Sequence, residues 1–247
     1  MKNVSTSGDT LTEDKLRMFF KCSKLYQFGE GSSLNIGTSI CKSSVEHLTI
    51  KALRKEIYNP LQDLHASVVR STGQNCQTEK LMEAQVERLM NSSVIWMNEF
   101  FNLFPFSTYQ PVYGPVDVKV KVSKTPIILN VSGFYRSRRN ATMHVVTFSP
   151  YASDHSVKND PVNLLKLKIL EPYVAKHWSG RPSVKLHIFN FGKENNFNYF
   201  SLDSNFPKAL SFKRIKSAVQ NIESSNFYPI VPCPHFCKYK NICFGGE

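Results

Sequence analysis

Apolar positions recur along this chain with two different periods, and the change from one to the other divides it. In LTEDKLRMFFKCSKLYQF, Thr10 and Glu13 stand at capping-box spacing and predict a helix with Cys22 near its end. The three glycines of FGEGSSLNIG break it. Cys41, Val45, Leu48 and Ala52 recur at i, i+4, i+7 and i+11, which predicts the inward stripe of a second helix over about 38–57. His47 lies well away from that stripe. Asn59-Pro60 opens a third helix, with proline at its first position. Met82, Val86, Leu89, Met97 and Phe100 share one face of a fourth, over roughly 78–103.

Beyond this point the period is two. Val116, Val118, Val120 and Val122 alternate with Asp117, Lys119, Lys121 and Ser123, as on a half-buried strand. Ile127 to Arg136 and Met143 to Ser149 read as two further strands, joined by the loop RSRRNAT. Asp160-Pro161 starts another helix, which Pro172 bends or ends before Tyr173. Residues 183–191 and about 196–202 form a hairpin around FGKENN, and a last helix covers about 207–224. Helices, three strands, a helix, a hairpin and a helix predict one α/β domain with a mixed central sheet flanked by helices. Its parts are a frayed end (1–9), a helical part (10–105), a sheet core (106–225) and a Cys-rich tail (226–247), with no internal repeat.

Composition narrows the class. Apolar residues make up 41% of the 247 and charged residues 20%, an ordinary globular balance. No apolar run has membrane-spanning length and no signal peptide opens the chain, so the expectation is a cytoplasmic protein with no membrane partner. Lys and Arg number 31 against 19 Asp and Glu, a net charge of +12 that attracts polyanions, of which nucleic acid is the commonest inside cells. The plainer reading of that charge is a soluble, Lys-rich surface. Its Lys and Asn content suits a low-GC genome such as that of a virus or mobile element.

The six cysteines of an intracellular chain point to metal ligands or free thiols before disulfides. Three crowd into the tail VPCPHFCKYKNICFGG, as Cys233, Cys237 and Cys243 with C-x3-C-x5-C spacing. Bunched thiolates suit an iron–sulfur cluster or zinc, and either takes four ligands. The fourth would be Cys22, Cys41 or Cys76, or His235 in a small zinc knuckle.

The early helix with its single Cys22, taken with the trio in CPHFCKYKNICF, resembles the iron–sulfur branch of the PD-(D/E)XK nucleases. That branch includes RecB-like and AddB-like nuclease domains and the CRISPR adaptation nucleases. The resemblance implies a restriction-endonuclease-like core. It also implies a 4Fe-4S cluster held by Cys22, Cys233, Cys237 and Cys243, joining the two ends of the chain. The spacing departs from the family in one place, with three residues between the first two tail cysteines where two are usual. Further along, SLNIGTSICKSSVEHLTIKAL looks like the family's second helix. IILNVSGFYR resembles its G-x-x-D strand, MHVVTFSPY its (D/E)-x-K strand, and LLKLKILEPY its Q-x-x-x-Y helix.

Phosphodiester hydrolysis in this fold needs carboxylates that hold one or two divalent metals, with a lysine two residues beyond the second acid on the same strand face. At each matching position this chain carries something else. The histidine of the second helix is Cys41, and the acid of G-x-x-D is Arg136. The acid and lysine of the next strand are Thr147 and Ser149, and the glutamine is Ile169, although Tyr173 is kept. An arginine at a metal aspartate's place repels the metal. The resemblance thus implies a nuclease-like protein with no catalytic residues. Such a cleft would grip nucleic acid, DNA before RNA, through Arg136, Arg138, Arg139, Lys119 and Lys121, with Lys124 close by. Its setting would be a larger replication, repair, recombination or transcription assembly with a protein partner.

Two other readings stay open. Asp117 and Lys119 form a literal D-x-K, and Gly114 to Asp117 a literal G-x-x-D, as an active Mg- or Mn-dependent nuclease would need. Their plainer reading is the wet face of an amphipathic strand, and His47 beside Glu46 reads as a surface pair. The other possibility is a protein-binding structural subunit, with FFNLF and NFNYF as apolar surface or core.

Overall fold

A computed structural model of the chain describes residues 10–23, 34–79, 81–151, 153–191, 197–203 and 209–227. The tail cysteines Cys233, Cys237 and Cys243 lie outside the described residues, as does His235. Eight strands and seven helices are described. In chain order they are β1 (Leu11–Thr12), α1 (Glu13–Lys21), α2 (Ile36–Leu53), α3 (Pro60–Glu79) and α4 (Glu83–Leu103). Then come β2 (Tyr109–Tyr113), β3 (Val116–Val122), β4 (Thr125–Val131), β5 (Gly133–Ser137) and β6 (Thr142–Phe148). The last are α5 (Asp154–Asn159), α6 (Pro161–His177), β7 (Ser183–Phe191), β8 (Phe197–Leu202) and α7 (Ala209–Glu223). The class is mixed α/β, with helices packed on mixed sheets.

Residues 125–137 form one long strand path interrupted at Ser132, and the break lets the path serve two sheets. Before it, β4 pairs in parallel with β1 and antiparallel with β3; after it, β5 joins a five-stranded sheet ordered β2-β5-β6-β7-β8. Only β6 and β7 run parallel in that sheet, connected through α6, as a parallel pair requires a long crossover. At the break Gly133 is obligatory for packing. A Cβ there would stand 2.7 Å from the Tyr135 ring, while Gly114, at φ +113°, brings its own backbone against Gly133.

Period-two alternation sends the two faces of the main sheet into two cores. Met143, Val145, Leu186 and Ile188 pack with Leu16, Leu165 and Val219 from α1, α6 and α7. Val146, Phe148, Phe189 and Phe191 pack with Cys41, Val68, Met97 and Phe100 from α2, α3 and α4. The sheet therefore lies between two helical layers.

Several expectations change in contact with the structure. Thr12, not Thr10, caps α1, because Leu11 and Thr12 are drawn into a ladder with Ile127 and Ile128. Glu13 does not turn back to cap, since its carboxylate is used inside the protein. Residues 78 and 79 end α3 rather than start α4, and Met82 is exposed. Pro172 sits inside α6, which continues to His177. Val174 is buried in the core, and the Trp178 amide bonds the Val174 carbonyl to hold that last turn. Strands β1 and β2 and helix α5 add to the expected order.

Candidate functional site

Between α1, α6 and the sheet lies a cluster of charged side chains with almost no exposure. Glu13, Arg17, Asp160 and Lys166 are 3%, 2%, 4% and 0% exposed. Arg17 stands one turn beyond Glu13 and hydrogen-bonds three partners, with the half-exposed carboxylate of Asp14 3.8 Å from its Nη1. Its Nη1 donates to Glu13 Oε2 at 3.1 Å, its Nε to Asp160 Oδ2 at 2.8 Å and its Nη2 to Asn163 Oδ1 at 3.1 Å. Lys166 Nζ lies 2.7 Å from Glu13 Oε1 and donates to Thr147 Oγ1 on β6 at 2.5 Å. The Thr147 hydroxyl donates a hydrogen bond to the Asn130 carbonyl, and the Asn130 amide donates to Glu13. Asp160 also caps α6 through the Val162 amide. Two acids and two bases balance, and each finds hydrogen-bond partners, which buried charge demands.

The titration of these groups follows from that arrangement. Burial is the largest influence on Glu13 and opposes its charge. The fields of Lys166 and Arg17, with hydrogen bonds from Lys166 and Asn130, outweigh it and hold the carboxyl below its ordinary value. For Lys166 burial prevails over the attraction of Glu13, aided by repulsion from Arg17, and its pKa is lowered. Burial opposes the Arg17 charge as well, but Asp160 and Glu13 more than offset it, so Arg17 stays protonated.

Thr147, expected at an acid's position, thus meets an ammonium group. Ser149 is buried and donates its amide to the Phe189 carbonyl. Cys41 is wholly buried in the helical layer, where desolvation pushes its thiol pKa up against a hydrogen bond with Ser93. Ile169 and Tyr173 pack at the margin of the other core. Asp117 is exposed and accepts from Asn130 Nδ2, and Lys119 beside it is exposed too. His47 and Glu46 are not a surface pair. His47 bonds Ser67 through Nδ1 and meets Arg70 at Nε2, while Glu46 accepts from Ser132 at the strand break and pairs with Lys42.

The expected basic residues fall into two groups. Arg136 is exposed one residue before the end of β5, and Arg138 and Arg139 lie exposed in the turn that follows. Lys119 and Lys121 stand on β3 opposite Ile128 and Pro126. Arg136 is eight residues beyond Ile128 along the same path, roughly 26 Å of strand. The two groups stand on different sheets, Lys119 and Lys121 on the three-stranded one and Arg136 on the five-stranded one.

Among the cysteines, Cys22 is half-buried at the C-cap of α1. One turn earlier, Phe19 lies 6.4 Å, ring to ring, from Phe227. Cys233 follows six residues later, a reach of at most about 21 Å. Cys76 belongs to α3, which packs on α2 and α4 in the opposite layer. Among the described residues no three His, Cys, Asp or Glu side chains converge as a metal site, and no helix is long and apolar enough to cross a membrane.

Sequence reasoning missed Glu13, Arg17, Asp160 and Lys166 as a unit. The signal was present for part of it. Glu13 and Arg17 have i, i+4 spacing, and Lys166 interrupts the apolar run of Leu164, Leu165 and Leu167.

No family model matches the chain, and no curated protein matches it. Among solved structures, one titled "Crystal structure of SSO0001" is similar at 11% identity over 64% of this chain and 72% of that one, with a TM-score of 0.29. A likeness that slight bears on neither fold nor activity.

Proposed function

We propose that this chain is a nuclease-like protein of the iron–sulfur PD-(D/E)XK type that binds nucleic acid without hydrolysing it. The reading is carried by the Lys166 ammonium seated against Thr147 and paired with Glu13. In the proposed alignment Thr147 stands where an acid would hold a divalent cation. Two buried cations, Lys166 and Arg17, occupy that neighbourhood and repel such an ion, and the Glu13 carboxylate is already engaged by both. What was a metal pocket becomes a neutral structural core.

Outside that core, Arg136, Arg138 and Arg139 form no ion pair among the described residues, and they remain available to phosphate. DNA is the favoured target, in a replication, repair, recombination or transcription assembly with a protein partner. Cys22, Cys233, Cys237 and Cys243 would hold the 4Fe-4S cluster. What fits is the Phe19–Phe227 contact beside Cys22, which leaves the tail a short reach to that thiol. Bound there, the cluster would crosslink the start and the end of the chain.

The test is an anaerobic assay with labelled single- and double-stranded DNA and Mn²⁺, read for binding and cleavage together. The expected result is binding that weakens steeply with salt, without cleavage. Mn²⁺-dependent cleavage that survives repurification and is lost in Asp117→Ala would establish an active nuclease instead. A protein that neither binds nor cleaves would be a protein-binding subunit. Iron analysis tests the cluster: about four iron per chain with broad visible absorbance supports it, and stoichiometric zinc overturns it.

A further inference from the structure

Around Phe134 on β5, aromatic rings from the last residue of β2 and the last turns of α6 gather at the surface. Tyr113, the last residue of β2, is 45% exposed. Its ring lies 6.1 Å from Phe134 on β5 and 6.3 Å from Trp178, the C-cap of α6. Tyr173 stands 5.9 Å from Phe134, 4.4 Å from His177 and 6.2 Å from Trp178. Phe134 is fully buried and is the floor of the group. Tyr173 and Trp178 are half-buried above it, while Tyr113 and His177 are open to solvent. Tyr173 and Trp178 pack one side against the core, and the sides they leave to solvent, with the rings of Tyr113 and His177, offer stacking surface.

The charge around the rings has one sign in three places. Arg136 is two residues beyond Phe134 and therefore on the same strand face, and it is exposed. Lys176 and Arg181 flank Trp178 in sequence, both exposed, the latter in the turn before β7. None of the three forms an ion pair among the described residues. Cations that can hold a phosphate backbone thus border rings that can receive bases.

We propose that Tyr113, Tyr173, His177 and Trp178 form a stacking ledge for unpaired bases of single-stranded nucleic acid, with Arg136, Lys176 and Arg181 tracking its backbone. This rests on the nucleic-acid reading above and narrows it to single strands. Bases within a duplex already stack on one another, so only an unpaired strand can lay bases on such a ledge. Tyr113 pairs with Phe134 near the start of β5 and the Arg138–Arg139 turn follows its end, with Arg136 between them on the strand. Lys119 and Lys121 are at the far end of the strand path and take no part.

Stacking and phosphate contact leave different signatures, which makes the ledge testable in the full-length protein. Affinity for a labelled oligothymidylate and for a duplex is measured over a series of salt concentrations for the parent, Tyr113→Ala and Arg136→Ala. Tyr113→Ala should weaken oligothymidylate binding about tenfold, as for the loss of one stacked base, with the salt slope unchanged. Arg136→Ala should lower that slope by about 0.7. Oligothymidylate should quench the fluorescence of Trp178 while Trp96, only 4% exposed, gives a constant background. Trp178→Phe should abolish the quenching. Tyr113 is exposed enough that its substitution leaves the fold intact, which far-UV circular dichroism checks. Oligothymidylate binding with no quenching, and with Tyr113→Ala within twofold of the parent, overturns the ledge but leaves nucleic-acid binding standing. Failure of the parent to bind either strand form overturns both.

Discussion

Replacing Lys166 by methionine removes the ammonium from the buried cluster while nearly preserving side-chain volume. Lys166 is 0% exposed, so bulk water does not screen the charge left behind. After the change Glu13 keeps the Asn130 amide and Arg17 at 3.1 Å, but Arg17 must then serve both Glu13 and Asp160. The cluster acquires one uncompensated negative charge. Breaking a buried pair by removing one partner costs 3–5 kcal/mol as a rule. The retained guanidinium puts this case at the lower end, about 3 kcal/mol, or roughly two orders of magnitude in the folding equilibrium. Glu13→Gln with Lys166→Met leaves Arg17 and Asp160 as a balanced pair and should cost only about 1 kcal/mol relative to the parent. The assay is urea unfolding of the full chain at neutral pH, followed by far-UV circular dichroism with the m-value checked for constancy. A Lys166→Met protein within about 1 kcal/mol of the parent would refute the reasoning. So would a double variant whose cost equals the sum of its singles, since the coupling would then be absent.

The same cluster sets an acid limit. Because Glu13 titrates below its ordinary 4.5 when folded, the unfolded chain binds its proton first, and stability is lost as pH falls below about that value. Glu13→Gln should flatten that decline in urea midpoints taken over the acid range. Lys166 has the opposite consequence: its folded pKa lies below 10.5, so between the two values the unfolded chain holds more protons and stability rises with pH, a rise that Lys166→Met should remove. Gly133→Ala drives a methyl group to 2.7 Å from a Tyr135 ring that is fully buried and bonded to Thr49. It should cost about 1–3 kcal/mol, seen as a fall in melting temperature. On the cluster reading, Cys22→Ser should lose bound iron measured by elemental analysis, whereas Cys41→Ser, deep in the other layer, should retain it.

Much of the fold was legible because period and burial agree. The alternation from Val116 to Val122, the hairpin of β7 and β8 and the proline start of α3 each follow from side chains that must face one way. Where the reading slipped, longer-range partners overruled a local signal. Thr10 and Glu13 have the spacing of a cap, but a two-residue ladder with β4 takes Leu11 and Thr12, and a lysine 153 positions away takes Glu13. Proline at 172 is a local reason to stop a helix, and buried Val174 is a tertiary reason to continue it. The ion cluster escaped notice for the same cause. Glu13 and Arg17 show in the sequence as an ordinary i, i+4 pair, and nothing local says that Asp160 and Lys166 will meet them. Arg136 was legible as a cation, but its separation from Lys119 depends on the register of β3 against β4.

The interior and the surface divide the charge of this protein unequally, and that division connects the cluster to the proposed ligand. Glu13 and Asp160 are spent inside against Lys166 and Arg17. Other acids are held by close partners: Asp63 by Lys51, Glu46 by Lys42 and Ser132, and Glu223 by Thr125 and the Lys124 amide. The arginines of the β5–β6 turn, with Arg181 and Lys176 near the aromatic rim, have no such acid among the described residues. Neutralising the core therefore leaves the net charge of +12 to be expressed outward, where it can act on a phosphate backbone. A cleft that held metal through exposed carboxylates would lower that outward charge and need a cation before it could approach phosphate. On the proposed function, turning the same neighbourhood into a closed ion network would remove both requirements, and binding without hydrolysis is the outcome expected of this distribution of charge.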